Sequence, residues 1–360
     1  MKLKLSRSIR LTIAALGLAL ALPAGAAGGV AYVSNQKGNI TIIDLATFEA
    51  AGEIDVGGAS PRGIGVTADG KLLVVAAREK GDLAVIDLQT RKVIKRIPIG
   101  KNPEFVRVRG NQVFVSFEPA SDGGPPPKPG SKEAQEAQEA KKKPSKEKEE
   151  PARVAVVDLT AGKKTMEIVA GMQTEGIEFS ADGKKIIVTN EEDNNLTVHD
   201  IASGKLLKTI DTKPFGNRPR GIKMSPDGKF YVATIEYGNK LVALDGDFNV
   251  IKSVATGETP YGVAFGRDGS RLYVALAKGK TLQVFDAASL TSIAEHPIGD
   301  RCWHFTFTPD DKHILAACGR SDEVVVLEVA GGKVIKRIAD KLTPWGIVTY
   351  PKSFGSLDTP

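Results

Sequence analysis

Seven residues at one place in a repeated phrase carry most of the interaction chemistry of this chain: Arg62, Glu104, Glu175, Arg220, Tyr261, Trp303 and Trp345. Each follows the second residue, most often Pro, of a segment such as SPRGIGVTADGK (60–71) or RPRGIKMSPDGK (218–229). Positions equivalent by repeat converge when repeats pack around an axis, so the seven should form one ring. Four neighbours read Arg, Glu, Glu, Arg, and three read Tyr, Trp, Trp. Both tryptophans of the chain are among them. Guanidinium groups hold carboxylates through paired hydrogen bonds, and aromatic faces stack on planar ligands. The ring is a candidate binding cup for a ligand or partner. The competing reading is that Arg and Glu neutralise each other while the aromatics fill the channel.

His304 follows Trp303 where most copies have Gly, and it is added to the candidate site as a possible axial ligand or general base. A lone histidine is more often structural. Of the other histidines, His199 takes an apolar place in a strand and reads as core, while His296 and His313 read as exposed. Four scattered histidines do not build an imidazole metal centre, and no metal or cofactor is expected. No nucleophile elbow, phosphate loop or H-E-x-x-H motif occurs, so no catalytic residue is assigned. No C-x-x-C-H occurs, which excludes covalent c-type haem. The two cysteines, Cys302 and Cys318, are expected to pair. If Phe307 faces His313 in an antiparallel hairpin, Cys302 faces Cys318, within disulfide reach.

The elements that must position these residues follow from the repeat. TPYGVAFGRDGS (259–270) and RCWHFTFTPDDK (301–312) are further copies, NPEFVRVRGN (102–111) and QTEGIEFSADGK (173–184) are weaker ones, and TPWGIVTY (343–350) lacks its turn. Gly183, Gly228, Gly269 and Asp311 are spaced by 45, 41 and 42 residues. Between copies come an apolar strand, a V-x-D strand and a more polar strand such as KVIKRI. A period near forty with four short strands is the signature of a β-propeller blade. The expected fold is all-β: a seven-bladed β-propeller of four-stranded antiparallel blades. VAYVSN (30–35) opens the first blade without an inner strand, and PWGIVTY (344–350) supplies it, so N- and C-terminal strands close the ring. Alternating strand directions place the connections before the first strand and after the second on one face, with the Arg/Glu/Trp ring.

Residues 1–26 read as a signal peptide: Lys2, Lys4, Arg7 and Arg10, an apolar run from Leu11 to Leu22, then Ala24-Gly25-Ala26. The net charge of +6 falls to +2 without these four cations, so nucleic-acid binding is not expected. On the strength of this leader the expected location is periplasmic or secreted, with no membrane span after its removal. The propeller is expected over 27–351 and a tail over 352–360. Residues 120–150, rich in Gly/Pro and then Lys/Glu/Ala, interrupt the third blade and should be disordered or a solvated helix.

AYVSN (31–35), KIIVTNEEDNNLTVHD (185–200) and LYVALAKGKTLQVFD (272–286) resemble the YVTN β-propeller repeat family over nearly all of residues 30–350. The phrase at 219–229 is similar to that family's P-x-G-[IV]-x-[FM]-S-P-D-G-K. RCWHFTFTPDDK and TPWGIV look closest to propellers associated with quinoprotein (PQQ) systems, and cytochrome d1-like propellers are related. The resemblance implies a secreted propeller acting as a binding or accessory subunit; the expectation taken from it is a non-catalytic, monomeric binding protein for a periplasmic protein or small ligand. The alternatives are a lactonase-like hydrolase or a d1-haem-handling protein. Two Arg at the level of two Glu oppose a divalent cation there.

Overall fold

The structure, a computed structural model, describes residues 28–119, 150–339 and 341–358. The leader and, apart from Glu150, the insertion lie outside the described residues. Twenty-eight described strands form seven four-stranded sheets arranged as the blades of a propeller. Blade 1 joins β28 (Pro344–Tyr350) to β1 (Val30–Asn35), β2 (Ile40–Asp44) and β3 (Glu49–Ile54), all antiparallel. Ala31 stands opposite Thr349 and Val33 opposite Ile347, so the seam of the ring is a paired sheet rather than an open edge.

The inner strands of blades 2 to 7 are β4 (Pro61–Val66), β8 (Pro103–Arg109), β12 (Thr174–Phe179), β16 (Pro219–Met224), β20 (Pro260–Phe265) and β24 (Cys302–Phe307). The next strand outward is apolar on both faces because it is sandwiched between blades. In β5 (Leu72–Ala77), Leu73 and Val75 belong to the cluster containing Ile42 and Ile54. Val74 and Ala76, pointing the other way, pack with Val113 and Val115 of blade 3. The outermost strand β7 (Lys92–Pro98) leaves Lys92, Ile94 and Lys95 exposed, as the edge of a blade should.

Two regularities shape the inner end of every blade. First, Ser60, Asn102, Gln173, Arg218, Thr259, Arg301 and Thr343, the residues just before the inner strands, all have positive φ between 48° and 65°. Left-handed backbone is unfavourable for such side chains. It is held by hydrogen bonds such as Glu236 N–H to Arg218 O and Glu191 N–H to Gln173 O, both 2.9 Å, which tie the two connections on this face together. Second, the inner strands crowd. A Cβ on Gly63 would lie 2.3 Å from Glu104 O, and one on Gly176 2.4 Å from Arg220 O. Glycine at this position lets neighbouring backbones approach.

Candidate functional site

A β-bulge aims the ring. In blade 5, Pro219 pairs with Ile235 and Ile222 with Ala233, so the register slips by one residue across Arg220. The same slip falls at Arg62, Glu104, Glu175, Tyr261, Trp303 and Trp345. A bulge leaves one residue out of the ladder and re-aims its side chain, and here it falls on each of the seven.

The seven form a closed, buried layer. Each is at most 7% exposed. Arg62 pairs with Glu104 and stacks over Trp345, 5.7 Å from the ring centroid. Arg220 Nη1 lies 3.2 Å from Glu175 Oε2, and the guanidinium sits 4.7 Å from the Tyr261 ring centroid. The Tyr261 hydroxyl donates to Glu175. Trp303 turns away toward Gly319 of its own hairpin, under Arg301 at 5.7 Å. Burial disfavours the Glu175 carboxylate, but Arg220, the Tyr261 hydroxyl and Arg62 outweigh it and hold its pKa below the ordinary value. Glu104 goes the other way: burial, with help from Glu175, raises it against the pull of Arg62.

A second layer lies above the ring. Glu236 follows the second strand of blade 5, and Glu191 the equivalent strand of blade 4. Arg220 pairs with both. Arg218 pairs with Glu191 and, at 3.3 Å, with Glu236 Oε2. Arg301 Nη2 stands 3.6 Å from Glu236 Oε1. Burial opposes ionisation of Glu236, yet Arg220, Arg301 and Arg218 keep its pKa low. The side chains of Arg218 and Arg301 remain 21% and 11% exposed, and Arg301 Nε has no hydrogen-bond partner. Arg218 also lies over Tyr237, whose ring is open to solvent. This layer was missed in the sequence, although its members also occupy repeat-equivalent places, just before the inner strand and just after the second.

His304 and Phe105 take the place that is Gly in the other five blades, and both reach into the channel. His304 meets Trp345 edge-on at 4.4 Å, and Tyr261 and Phe105 each at 5.8 Å. Burial, only partly offset by Glu175, drops its pKa to about 3, so the imidazole is neutral. Lower down, Arg107, Glu178 and Lys223 form a second buried charged group: Arg107 Nη2 to Glu178 Oε1 is 2.8 Å, and Lys223 Nζ to Glu178 Oε2 is 3.8 Å. The described part of the tail, residues 352–358, enters the channel at this level, and Ser353, Ser356, Leu357 and Asp358 are buried there.

The remaining sequence candidates fall as follows. Cys302 stands opposite Cys318 and is disulfide-bonded to it. The register assumed for that hairpin is corrected: Phe307 faces Ile314, not His313, and the bulge at Trp303 absorbs the one-residue difference. His199 is core, 2% exposed, with neither ring nitrogen hydrogen-bonded. His296 and His313 are half-buried rather than exposed, because Gly332 crowds the first and Phe48 meets the second edge-on at 5.0 Å. Among the described residues, no three His, Cys, Asp or Glu side chains stand together as a metal-holding group.

Known proteins share this architecture. A functionally unknown protein from Desulfotomaculum acetoxidans matches with TM-score 0.72 at 18% identity, over 89% of this chain and 98% of that one. The periplasmic gluconolactonase PpgL of Pseudomonas aeruginosa matches with TM-score 0.69 at 16% identity, over 92% and 99%. Kuenenia stuttgartiensis hydrazine synthase matches with TM-score 0.66 at 20% identity, over 83% and 92%. At such identities the likeness is one of fold. No curated protein matches the sequence. The model of the YNCE-like beta-propeller family matches residues 9–110 and 151–350, most of the chain, so this protein belongs to that family.

Proposed function

We propose that this chain is an exported, non-catalytic propeller that binds a partner protein or small ligand at the channel mouth, through an anionic group placed between Arg218 and Arg301. The observation that carries the reading is the division of labour between the two layers. The ring acids and bases saturate one another and are sealed from solvent. Above them Tyr237 is exposed, and the Arg218 and Arg301 side chains keep 21% and 11% of their surface accessible. Partly desolvated guanidinium groups beside an exposed aromatic are the usual anchors of recognition surfaces. The seven-residue cup inferred from the repeat then serves as the rigid floor of the site. The export signal and the resemblance to PQQ-associated YVTN propellers support a periplasmic accessory role.

The hydrolase alternative takes its support from gluconolactonases of the same fold. Its base would have to be His304, the neutral channel imidazole, whose Nε2 has no partner. That ring is enclosed by Trp345, Tyr261, Phe105 and Ser356, which leaves no open face for a substrate or a haem iron. The deciding experiment measures lactone hydrolysis and capture of periplasmic partners in parallel, on the wild type, Arg218→Ala/Arg301→Ala and His304→Gln. Capture lost only in the double arginine variant supports the binding reading. Turnover lost only in His304→Gln overturns it.

A further inference from the structure

The lower half of the channel contains an occupied site. β24 is the innermost strand of blade 7, so one of its edges has no partner within the sheet. Residues 354–356 pair with that edge. Thr306 and Gly355 form an antiparallel bridge, Phe307 N–H donates to Phe354 O at 2.9 Å, and Ser356 N–H donates to Phe305 O at 2.9 Å. The chain then turns, with Gly355 N–H donating to Asp358 O at 3.1 Å.

Groups from the far side of the ring grip the turn. Arg107 of blade 3 donates to Leu357 O at 2.7 Å, and Lys223 of blade 5 to Asp358 O at 3.2 Å. Ser356 Oγ lies 3.1 Å from His304 Nδ1. Leu357 joins the apolar cluster of Phe105 and Trp345. Every one of these contacts is read from a short extended segment by main-chain pairing plus side-chain pockets. This is how sheets take up peptides by strand addition.

We propose that the inner edge of β24, with Arg107 and Lys223 opposite, is a peptide-binding site filled here by residues 353–358. Its ligand class is an extended peptide with a small hydroxyl residue on the strand edge, then an apolar and an acidic residue at a turn. A peptide supplied by another chain competes for it with the resident segment. The site is separate from the mouth at Arg218 and Arg301, so its failure leaves that reading intact.

The test uses full-length chains and a fluorescein-labelled synthetic peptide of residues 351–360. Leu357→Asp places a charge in the apolar pocket and should release the resident segment. Anisotropy should then show the peptide binding this variant at least about ten-fold more tightly than the wild type, whose site is filled. A peptide carrying Gly355→Val should lose that binding, because a Cβ there meets Thr306 Oγ1 at 2.9 Å. Equal binding to both folded proteins, or binding to neither, overturns the proposal. Hydrogen exchange on the wild type gives a second test should Leu357→Asp not fold. An exchangeable occupant requires the Ser356 amide to exchange at least about ten-fold faster than amides of β25 (His313–Cys318). Equal protection makes the segment a fixed part of the core and overturns the proposal.

Discussion

The imidazole Nδ1 of His304 lies 3.1 Å from Oγ of Ser356, a residue 52 positions later in the chain. That same Oγ accepts the Phe305 amide at 3.0 Å. The contact closes the channel around a histidine that burial keeps neutral down to about pH 3. The pH dependence of stability follows from this placement.

In the unfolded chain His304 takes up a proton near its ordinary pKa of 6.5, whereas in the folded protein it does so only near 3. Between those values the unfolded state binds more protons, so stability falls as pH drops. One such group removes about 2 kcal/mol by roughly pH 5. His199 and His296 are shifted the same way, by burial, and add to the slope. His304→Gln should flatten the fall in melting temperature between neutral pH and about pH 5. Superimposable profiles for variant and wild type would rule out this role.

Trp345→Ala should destabilise by about 3–5 kcal/mol, because it empties a pocket next to His304 and Phe105. Arg220→Ala should cost a similar ~3–5 kcal/mol, since Glu175, Glu191 and Glu236 would lose their shared buried partner. Denaturant titration measures both. A loss below about 1 kcal/mol in either would show that the ring is not the closed layer described here.

Arg218→Ala and Arg301→Ala should behave differently. Glu191 and Glu236 keep Arg220 as a partner in each variant, so stability should change by less than about 2 kcal/mol. Partner or ligand affinity should weaken at least roughly ten-fold. Unchanged affinity in both variants would move the binding surface elsewhere.

Cys302 and Cys318 close a loop with a sequence separation of 16, so the bridge should contribute about 3 kcal/mol by restricting the unfolded chain. Cys302→Ala/Cys318→Ala should lower the denaturant midpoint accordingly. Two titratable thiols in the non-reduced, unfolded protein would contradict the bridge.

Deleting residues 343–360 should strip β28 from β1 and leave blade 1 with an open inner edge. A sharp loss of cooperativity in thermal unfolding is the expected result. A truncated chain that melts like the full one would refute closure by the terminal strands.

The fold was legible because its signals are local and repeated. Asp69-Gly70, Gly183 and Gly228 mark hairpin turns, and their period counts blades without any knowledge of packing. The ring was legible for the same reason, as equivalence by repeat places Arg62, Glu104, Glu175 and Arg220 side by side. Its burial was not legible. That depends on how far the inner strands close on the axis, and Gly63 and Gly176 set this through contacts with the next blade. The Cys302–Cys318 register shows how the two levels differ. Alternation along the strands puts the cysteines near one another, but only the bulge at Trp303 reconciles that pairing with Phe307 opposite Ile314.

By itself, then, the sequence determined the number of blades, the join of residues 30–35 to 344–350 and the identity of the ring, because a repeat imposes the same backbone on each copy. Tertiary structure alone decided which charges meet. Glu191 of blade 4 and Glu236 of blade 5 both reach Arg220, and residues 353–358 reach Arg107 and Lys223 from well over a hundred residues away in the chain. Long-range contacts of this kind leave no local pattern in a single chain. They arise when seven inner strands converge on one narrow axis, where buried charges are held by partners from other blades.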